Sequence, residues 1–222
     1  MNRSDLRNRP LPLYCKGEQI ANTITHGIGI PMSIWITVLC LHKASTQNLI
    51  IFAGCALYGI CMLIVYLAST LYHCWPDGLV KRVLQVVDHC AIYFLIAGTY
   101  TPILLLRFTA NVPFVGWGLL TMQWLLGTLA CILTAVDLRK YRVFSMVCYI
   151  FMGWSIVLCL PITLQVLSTQ AFSWLLAGGI TYTIGAVLFG LGKKLRWMHT
   201  IFHLFVLAGS ILQFISIYFH MF

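Results

Sequence analysis

Seven apolar stretches, each long enough to cross a lipid bilayer as a helix, constrain this chain of 222 residues more than any other feature. Only 9% of its residues are charged, whereas a soluble domain has about 25%. The sequence therefore predicts an all-α membrane protein, in which a bundle of seven transmembrane helices forms one domain, 1–222, and residues 1–21 form a polar N-terminal segment. The helices are predicted at residues 22–42, 49–72, 84–106, 113–136, 143–165, 172–191 and 198–220.

The basic residues are divided unequally between the two ends of the predicted helices. Lys43 and Arg107 lie on one side, and the other twelve lie before the first helix or after the second, fourth and sixth. Because cytoplasmic loops are rich in Lys and Arg, this predicts a cytoplasmic N-terminus and an outside C-terminus, the reverse of G-protein-coupled receptors. No nucleic-acid partner is predicted, since the twelve are spread over four segments. They are Arg3, Arg7, Arg9, Lys16, Lys81, Arg82, Arg139, Lys140, Arg142, Lys193, Lys194 and Arg196.

Polar residues recur at the predicted cytoplasmic ends of several helices. His199 and His203 are four residues apart at the start of the last helix, so their imidazoles share one helix face. The predicted orientation brings Ser69 and His73, at the end of the second helix, and Asp88, near the start of the third, to the same depth. The other members of this predicted polar layer, spaced by four residues leading into the first helix, are Glu18, Asn22 and His26. Ionisable groups inside a membrane are costly and usually functional.

The chemistry that fits this layer is that of zinc. Three histidines with one open position are a ligand set of catalytic zinc, and His73 is the predicted third ligand beside His199 and His203. Zinc brings the pKa of its water toward about 7. Asp88 suits a role as general base, and Ser69 suits orienting a ligand or donating to an oxyanion.

Simpler interpretations stay open for the same residues. Histidines also hydrogen-bond across helix bundles without a metal, and His26 fits a gating or supporting role. Glu18 and Asn22 fit capping and orienting the first helix, while Asp88 fits pairing with Arg82. His89 adjoins Asp88 and is therefore expected to face another way.

Four segments of the chain resemble the hemolysin III proteins, the bacterial branch of the progestin and adipoQ receptor (PAQR) family. They are Glu18-x3-Asn22-x3-His26, the run YLASTLYH that ends at His73, DHCAIYFLIAGTYTP from Asp88, and HTIFHLFVLAGS from His199. The resemblance covers nearly the whole chain. One departure is the lead-in to the last helix, Arg196-Trp197-Met198-His199, where a lead-in that contains proline is more usual.

This resemblance implies a multi-pass protein of the bacterial cell (inner) membrane with a cytoplasmic N-terminus. It implies Zn²⁺ bound by His73, His199 and His203, with Ser69 and Asp88 in supporting positions. The wider superfamily includes alkaline ceramidases, which are zinc-dependent hydrolases of lipid amides, and bacterial members are linked to lipid or fluidity homeostasis and, by name, to haemolysis. Membrane lipids are therefore the expected partners, and the sequence identifies no protein partner.

Three functions are compatible with these features. The first is a zinc-dependent hydrolase of lipid amides or esters, and the second is a sensor or receptor of membrane state with structural zinc. The sequence does not separate these two. The third, a pore-forming haemolysin, is disfavoured because a protein with seven retained membrane helices has no evident export route.

Overall fold

The computed structural model describes residues 3–192 and 195–222, with side chains from residue 6 onward. Within these ranges, seven helices are long and apolar enough to cross a membrane, and no strand occurs. They are α1 (Lys16–Ala44), α2 (Leu49–Cys74), α3 (Leu79–Asn111), α4 (Pro113–Val136), α5 (Arg142–Val166), α6 (Thr169–Leu191) and α7 (Met198–His220). The predicted all-α bundle is thus confirmed, while Lys193 and Lys194, two of the twelve basic residues, lie outside the described residues.

Two helices begin five or six residues earlier than their hydropathy predicts. Helix α1 begins at Lys16 rather than at 22, because the Glu18 carboxylate accepts a hydrogen bond from the Cys15 backbone N–H at 2.9 Å and the Cys15 sulfur accepts one from the Glu18 N–H. This capping box satisfies two N–H groups that a helix start leaves unpaired. Residues 16–21 therefore belong to the first helix, which corrects the predicted N-terminal segment 1–21. Helix α3 begins at Leu79 rather than at 84, with Lys81 donating to the Trp75 carbonyl at 2.8 Å.

Two helices contain irregular turns next to proline. A π-helical segment, Leu104–Phe108, follows Pro102 in α3, and a 3₁₀ segment, Ser155–Cys159, precedes Pro161 in α5. Because Pro161 has no backbone N–H, it cannot donate to the Val157 carbonyl, which accepts from the Leu160 N–H instead, as in a 3₁₀ turn. The Tyr100 hydroxyl donates to the Gly153 carbonyl at 2.7 Å, so a residue of α3 pairs a backbone carbonyl at the irregular turn of α5.

The three helices that carry most of the polar layer pack tightly on one another. Helix α1 packs on α2 and on α7. A Cβ atom at Gly29 in α1 would overlap the ring of Tyr66 in α2, so only glycine allows this approach. The Tyr66 hydroxyl donates to the Ser210 hydroxyl of α7 at 2.7 Å. One buried tyrosine therefore contacts both neighbouring helices of this unit.

The two basic residues on the sparsely charged side have a structural role. Lys43 donates to the Tyr218 carbonyl at 2.6 Å, and Arg107 donates to the His220 carbonyl at 3.0 Å. Both contacts satisfy carbonyl groups in the last turn of α7, where positive charge is also favourable to the helix dipole. Residues of α1 and α3 are thereby attached to the last turn of α7 at this end of the bundle.

At the other end, an extended N-terminal segment lies across the bundle. Arg9 donates from Nη2 to the Arg82 carbonyl at 2.9 Å, and Arg82 donates from Nε to the Arg9 carbonyl at 2.7 Å. The name "histidine end" is used below for this end, which consists of residues 9–15 and the connections 75–78 and 137–141 with the adjoining helix turns.

Candidate metal centre

Three buried histidines meet at the histidine end. His73 lies in the last turn of α2, and His199 and His203 lie in the first two turns of α7. The Nε2 atom of His199 is 3.1 Å from Nε2 of His73 and 3.1 Å from Nε2 of His203. One ligand atom from each residue lies within 4.8 Å of the others, which suffices to hold a metal ion. The predicted meeting of His73 with His199 and His203 is confirmed.

The surroundings of these rings direct Nε2 toward a shared point. The Thr25 hydroxyl donates to the Ala21 carbonyl at 2.9 Å, and its oxygen lies 3.1 Å from Nδ1 of His203. Because the single Thr25 proton is directed to its own helix, its oxygen accepts from Nδ1–H of His203. The Gln19 side-chain oxygen likewise lies 3.1 Å from Nδ1 of His73 and accepts from it. A proton on Nδ1 leaves Nε2 free as a metal ligand, the usual arrangement in metal sites.

The spacing of the nitrogens also fits a metal site. Two nitrogens bound to one tetrahedral zinc at about 2.0 Å lie about 3.3 Å apart, close to the two observed separations of 3.1 Å. Imidazole also binds copper, iron and nickel. The donor set therefore supports a metal site without selecting the ion.

His26 contacts the cluster without belonging to it. Its ring stacks on that of His203, with centroids 3.6 Å apart and planes inclined by 14°, and it meets Tyr66 edge to face at 5.3 Å. Neither ring nitrogen of His26 has a hydrogen-bond partner among the described residues. These contacts fit a support for the His203 ring better than a fourth ligand, because the metal-binding group contains only the other three histidines.

Glu18 and Asn22 orient helices, as one of the two interpretations of these residues expects. The Glu18 carboxylate accepts a hydrogen bond from the Trp197 N–H at 2.7 Å, just before α7 begins. Trp197 has a φ of 66°, the left-handed region that residues other than glycine rarely adopt. Asn22 accepts from the Thr200 hydroxyl at 2.6 Å, and its amide nitrogen lies 3.5 Å from Nδ1 of His73. The first helix therefore fixes the start of the last one, two residues before His199.

Asp88 lies next to Ser69 and His89. Its side chain is 13% exposed, its carboxylate is 3.6 Å from Nδ1 of His89, and the Ser69 side chain hydrogen-bonds to it. The structure describes no ion pair between Asp88 and Arg82, whose Nε donates to the Arg9 carbonyl instead. The His89 ring meets Phe189 of α6 edge to face at 6.0 Å, so it does face a neighbouring helix as predicted. It also lines the same cavity, and its Nδ1 donates to the Gln85 carbonyl at 2.8 Å.

This cavity has a volume of about 640 Å³ and runs beside the histidines. Ser69, Asp88, His26, His199 and His203 all line it. Much of the remaining wall is apolar and includes Val65, Leu95, Ile96, Ile156, Leu175 and Leu176. A cavity of about 300–1,000 Å³ with few convergent polar groups is typical of a ligand site. Residues of the polar layer and the apolar residues therefore line one continuous cavity.

Three residues at the site escape prediction from the sequence. Gln19 and Thr25 contact the outer nitrogens of the ligands, and Tyr14 stacks on His199 with centroids 5.1 Å apart. Gln19 lies three residues before Asn22 and seven before His26, so helical spacing carries a signal for it. Tyr14 precedes α1 in an extended segment, where no periodicity predicts which way a side chain points.

Comparisons with known proteins agree with this architecture. The family model of haemolysin-III related proteins matches residues 16–214. Hemolysin-3 of Bacillus cereus is 41% identical over 204 residues, which are 91% of each chain. The hemolysin-3 homolog of Bacillus subtilis (strain 168) is 35% identical over 91% of this chain and 94% of its own. The human monocyte to macrophage differentiation factor, a more distant relative of PAQR type, is 28% identical over 90% and 83%. No solved structure matches the chain. Because the family model matches the chain from the start of α1 into α7, this multi-pass membrane protein belongs to the haemolysin III family.

Proposed function

We propose that the protein is a membrane-embedded, zinc-dependent hydrolase of lipid amides or esters that acts in membrane lipid or fluidity homeostasis. One observation supports this above all others. Three buried histidines converge beside an apolar cavity, and its wall includes two of them, His199 and His203, together with a carboxylate, Asp88, and a hydroxyl, Ser69. Metal ligands, a general base and a chamber for an acyl chain are thereby adjacent.

The residues have distinct parts in the proposed reaction. When bound, zinc supplies Lewis-acid chemistry that polarises a carbonyl and makes water nucleophilic at neutral pH. The Asp88 carboxylate accepts a proton from the attacking water and returns it to the leaving amine or alcohol. Ser69 holds Asp88 through its hydrogen bond, and the apolar wall keeps bulk water away from the scissile bond. Substrate enters sideways from the leaflet at the histidine end.

Metal content and lipid turnover of the purified protein test this proposal together. We expect one zinc per wild-type chain, almost none in His73→Ala, and hydrolysis of a lipid amide or ester, followed by mass spectrometry. Asp88→Asn keeps the three ligands, so it should retain zinc and lose turnover. Wild type purified without metal would contradict the site, and zinc-loaded wild type that hydrolyses no lipid on a broad panel would contradict the reaction.

A membrane-state sensor with structural zinc is the second candidate. Its support is that the ligands join two helices, His73 on α2 and His199 with His203 on α7, so that an ion would cross-link them. In that case fluidity phenotypes survive Asp88→Asn, whereas loss of a histidine removes metal and thermal stability together. Release of dye from liposomes by the purified protein would instead favour the pore-forming activity that the names of the bacillus relatives suggest.

A further inference from the structure

Arg9 has an unusual position for an arginine in an N-terminal segment. Its side chain lines the cavity at the histidine end, and the residue is only 8% exposed. One guanidinium nitrogen, Nη2, donates to the Arg82 carbonyl, but Nε has no hydrogen-bond partner among the described residues. A buried cation with an unused donor is costly unless something anionic pairs with it.

Two more arginines line the same cavity, one in the connection between α4 and α5 and one at the first position of α5. They are Arg139 and Arg142, both exposed. Burial lowers the pKa of Arg9, and the positive charges of Arg139 and Arg82 lower it further, whereas Asp137 has the opposite effect. The Asp137 carboxylate, whose Oδ1 accepts from the backbone N–H groups of Arg139 and Lys140 at 3.0 Å each, balances one of these positive charges. Because Arg9, Arg82, Arg139 and Arg142 lie at this mouth of the cavity, positive charge is still in excess there.

The order of groups along the cavity matches that of an anionic lipid. Arg82, which is joined to Arg9, precedes Asp88 by six residues on α3, a rise of about 9 Å along the helix. The arginines come first from the histidine end, the carboxylate and histidines follow, and the apolar wall lies beyond. A lipid phosphate, an acyl linkage and a hydrocarbon chain have the same order.

We propose that Arg9, Arg139 and Arg142 bind the phosphate of an anionic lipid headgroup, so that the acyl ester or amide of the same lipid lies at the histidine cluster. The binding of the phosphate by the arginines is independent of catalysis, whereas the position of the acyl linkage rests on the hydrolase function proposed above. The guanidinium group is suited to this role because its planar array of donors pairs with two phosphate oxygens at once. The positive-inside rule explains basic loops in general, but it does not require an arginine to be buried in a cavity wall.

The test compares binding of two probes that differ only in the phosphate-bearing headgroup. These are 1-palmitoyl-lysophosphatidylglycerol and monopalmitoylglycerol, titrated into the full-length protein in neutral detergent and followed by tryptophan fluorescence, since Trp154 lines the cavity. All proteins carry Asp88→Asn, so that neither probe is consumed. We expect the phospholipid to bind at least about tenfold more tightly, the effect of a single charge-assisted contact.

Neighbouring positions of one loop provide a matched control. Arg139→Gln combined with Arg142→Gln should lower the preference for the phospholipid, because two of the three guanidinium groups that contact the phosphate are removed and only Arg9 remains. Lys140→Gln removes the same charge from an exposed residue that does not line the cavity, and it should leave the preference intact. Arg9→Gln should act like the double variant. If loss of Arg9 impairs folding, the double variant at the exposed Arg139 and Arg142 still tests the proposal.

Each result bears on the proposal in a defined way. Equal binding of the two probes by the parent protein, or an undiminished preference in the double variant, would overturn it. If inorganic phosphate alone binds as tightly as the lysophospholipid, the arginines recognise free phosphate and the assignment to lipid is wrong. If the parent protein prefers the phospholipid but wild type hydrolyses no lipid, the hydrolase proposal is wrong and the phosphate site stands. If wild type hydrolyses neutral lipids and the parent shows no preference, the phosphate site is wrong and the hydrolase proposal stands.

Discussion

At the scale of single residues, the candidate metal site consists of the groups behind the imidazoles as well as of the imidazoles. Thr25 and Gln19 of α1 contact the outer nitrogens of ligands that belong to α7 and α2. Each of these hydrogen bonds fixes the tautomer that exposes Nε2. The first helix supplies no ligand, yet it sets the orientation of two of them.

Thr25→Val should therefore weaken metal binding without unfolding the protein. The change keeps the shape of the side chain and removes the oxygen that accepts from Nδ1 of His203, and such losses cost about 10- to 100-fold in affinity. Competition with a chromophoric chelator measures this. Thr23→Val is the control, because the Thr23 hydroxyl bonds only to its own helix, at the Gln19 carbonyl. Equal affinities in the two variants would show that the hydrogen bond to His203 is unimportant.

The residues of the site could be predicted from the sequence only where helical spacing or the distribution of charge indicates where a side chain lies and which way it points. The four-residue spacing of His199 and His203 and the distribution of basic residues were enough to bring His73 to them. Neither signal exists for Tyr14 or Arg9, whose segment has no repeating pattern. His89 was predicted to face away from Asp88, and its ring does contact Phe189 of the neighbouring α6. That it also lines the cavity was not predicted, since adjacent helix positions diverge at Cβ while a long side chain can still reach a wide cavity.

At the scale of helices, small residues determine how closely the polar layer is enclosed. Gly29 allows the ring of Tyr66 to lie against α1, and that ring in turn meets His26 and reaches Ser210. The sequence predicted the existence and order of all seven helices from apolar length alone. It did not predict the first turns of α1 and α3, because capping by Cys15 and Glu18 at α1 and the polar first turn of α3 lie outside any apolar window.

Gly29→Ala should destabilise the protein, whereas Gly27→Ala should not. The added methyl at position 29 overlaps the Tyr66 ring, and overpacking of this kind costs about 1–3 kcal/mol. At position 27 the methyl would be 3.9 Å from Thr70, an ordinary contact, and alanine favours the helix by up to about 1 kcal/mol. Thermal unfolding in detergent separates the two. The packing argument fails if both variants melt at the same temperature.

At the scale of the whole molecule, the two ends of the bundle differ in what they do. One end holds the histidines, the cavity mouth and the N-terminal segment, while Lys43 and Arg107 close the other around the last turn of α7. The orientation of these ends in the membrane remains a prediction from charge, because a helix bundle has the same internal contacts in either orientation.

Labelling with a membrane-impermeant maleimide tests that orientation. Cys74 is an exposed thiol at the histidine end, and Thr46→Cys places a thiol in the exposed connection between α1 and α2 at the other end. If the histidine end is cytoplasmic, intact cells label position 46 and inverted vesicles label Cys74, as peptide mass spectrometry can map. The opposite pattern would reverse the orientation and place the cavity mouth outside the cell.

The separation of the ligands along the chain has a consequence for biogenesis. His73 leaves the ribosome 126 residues before His199, and α7 is the last helix to be made. Partly synthesised chains thus contain only one of the three ligands and cannot bind the ion tightly. If the three histidines hold a metal, its tight binding requires that α7 is in place, and a chain truncated before α7 should reach the membrane without a metal.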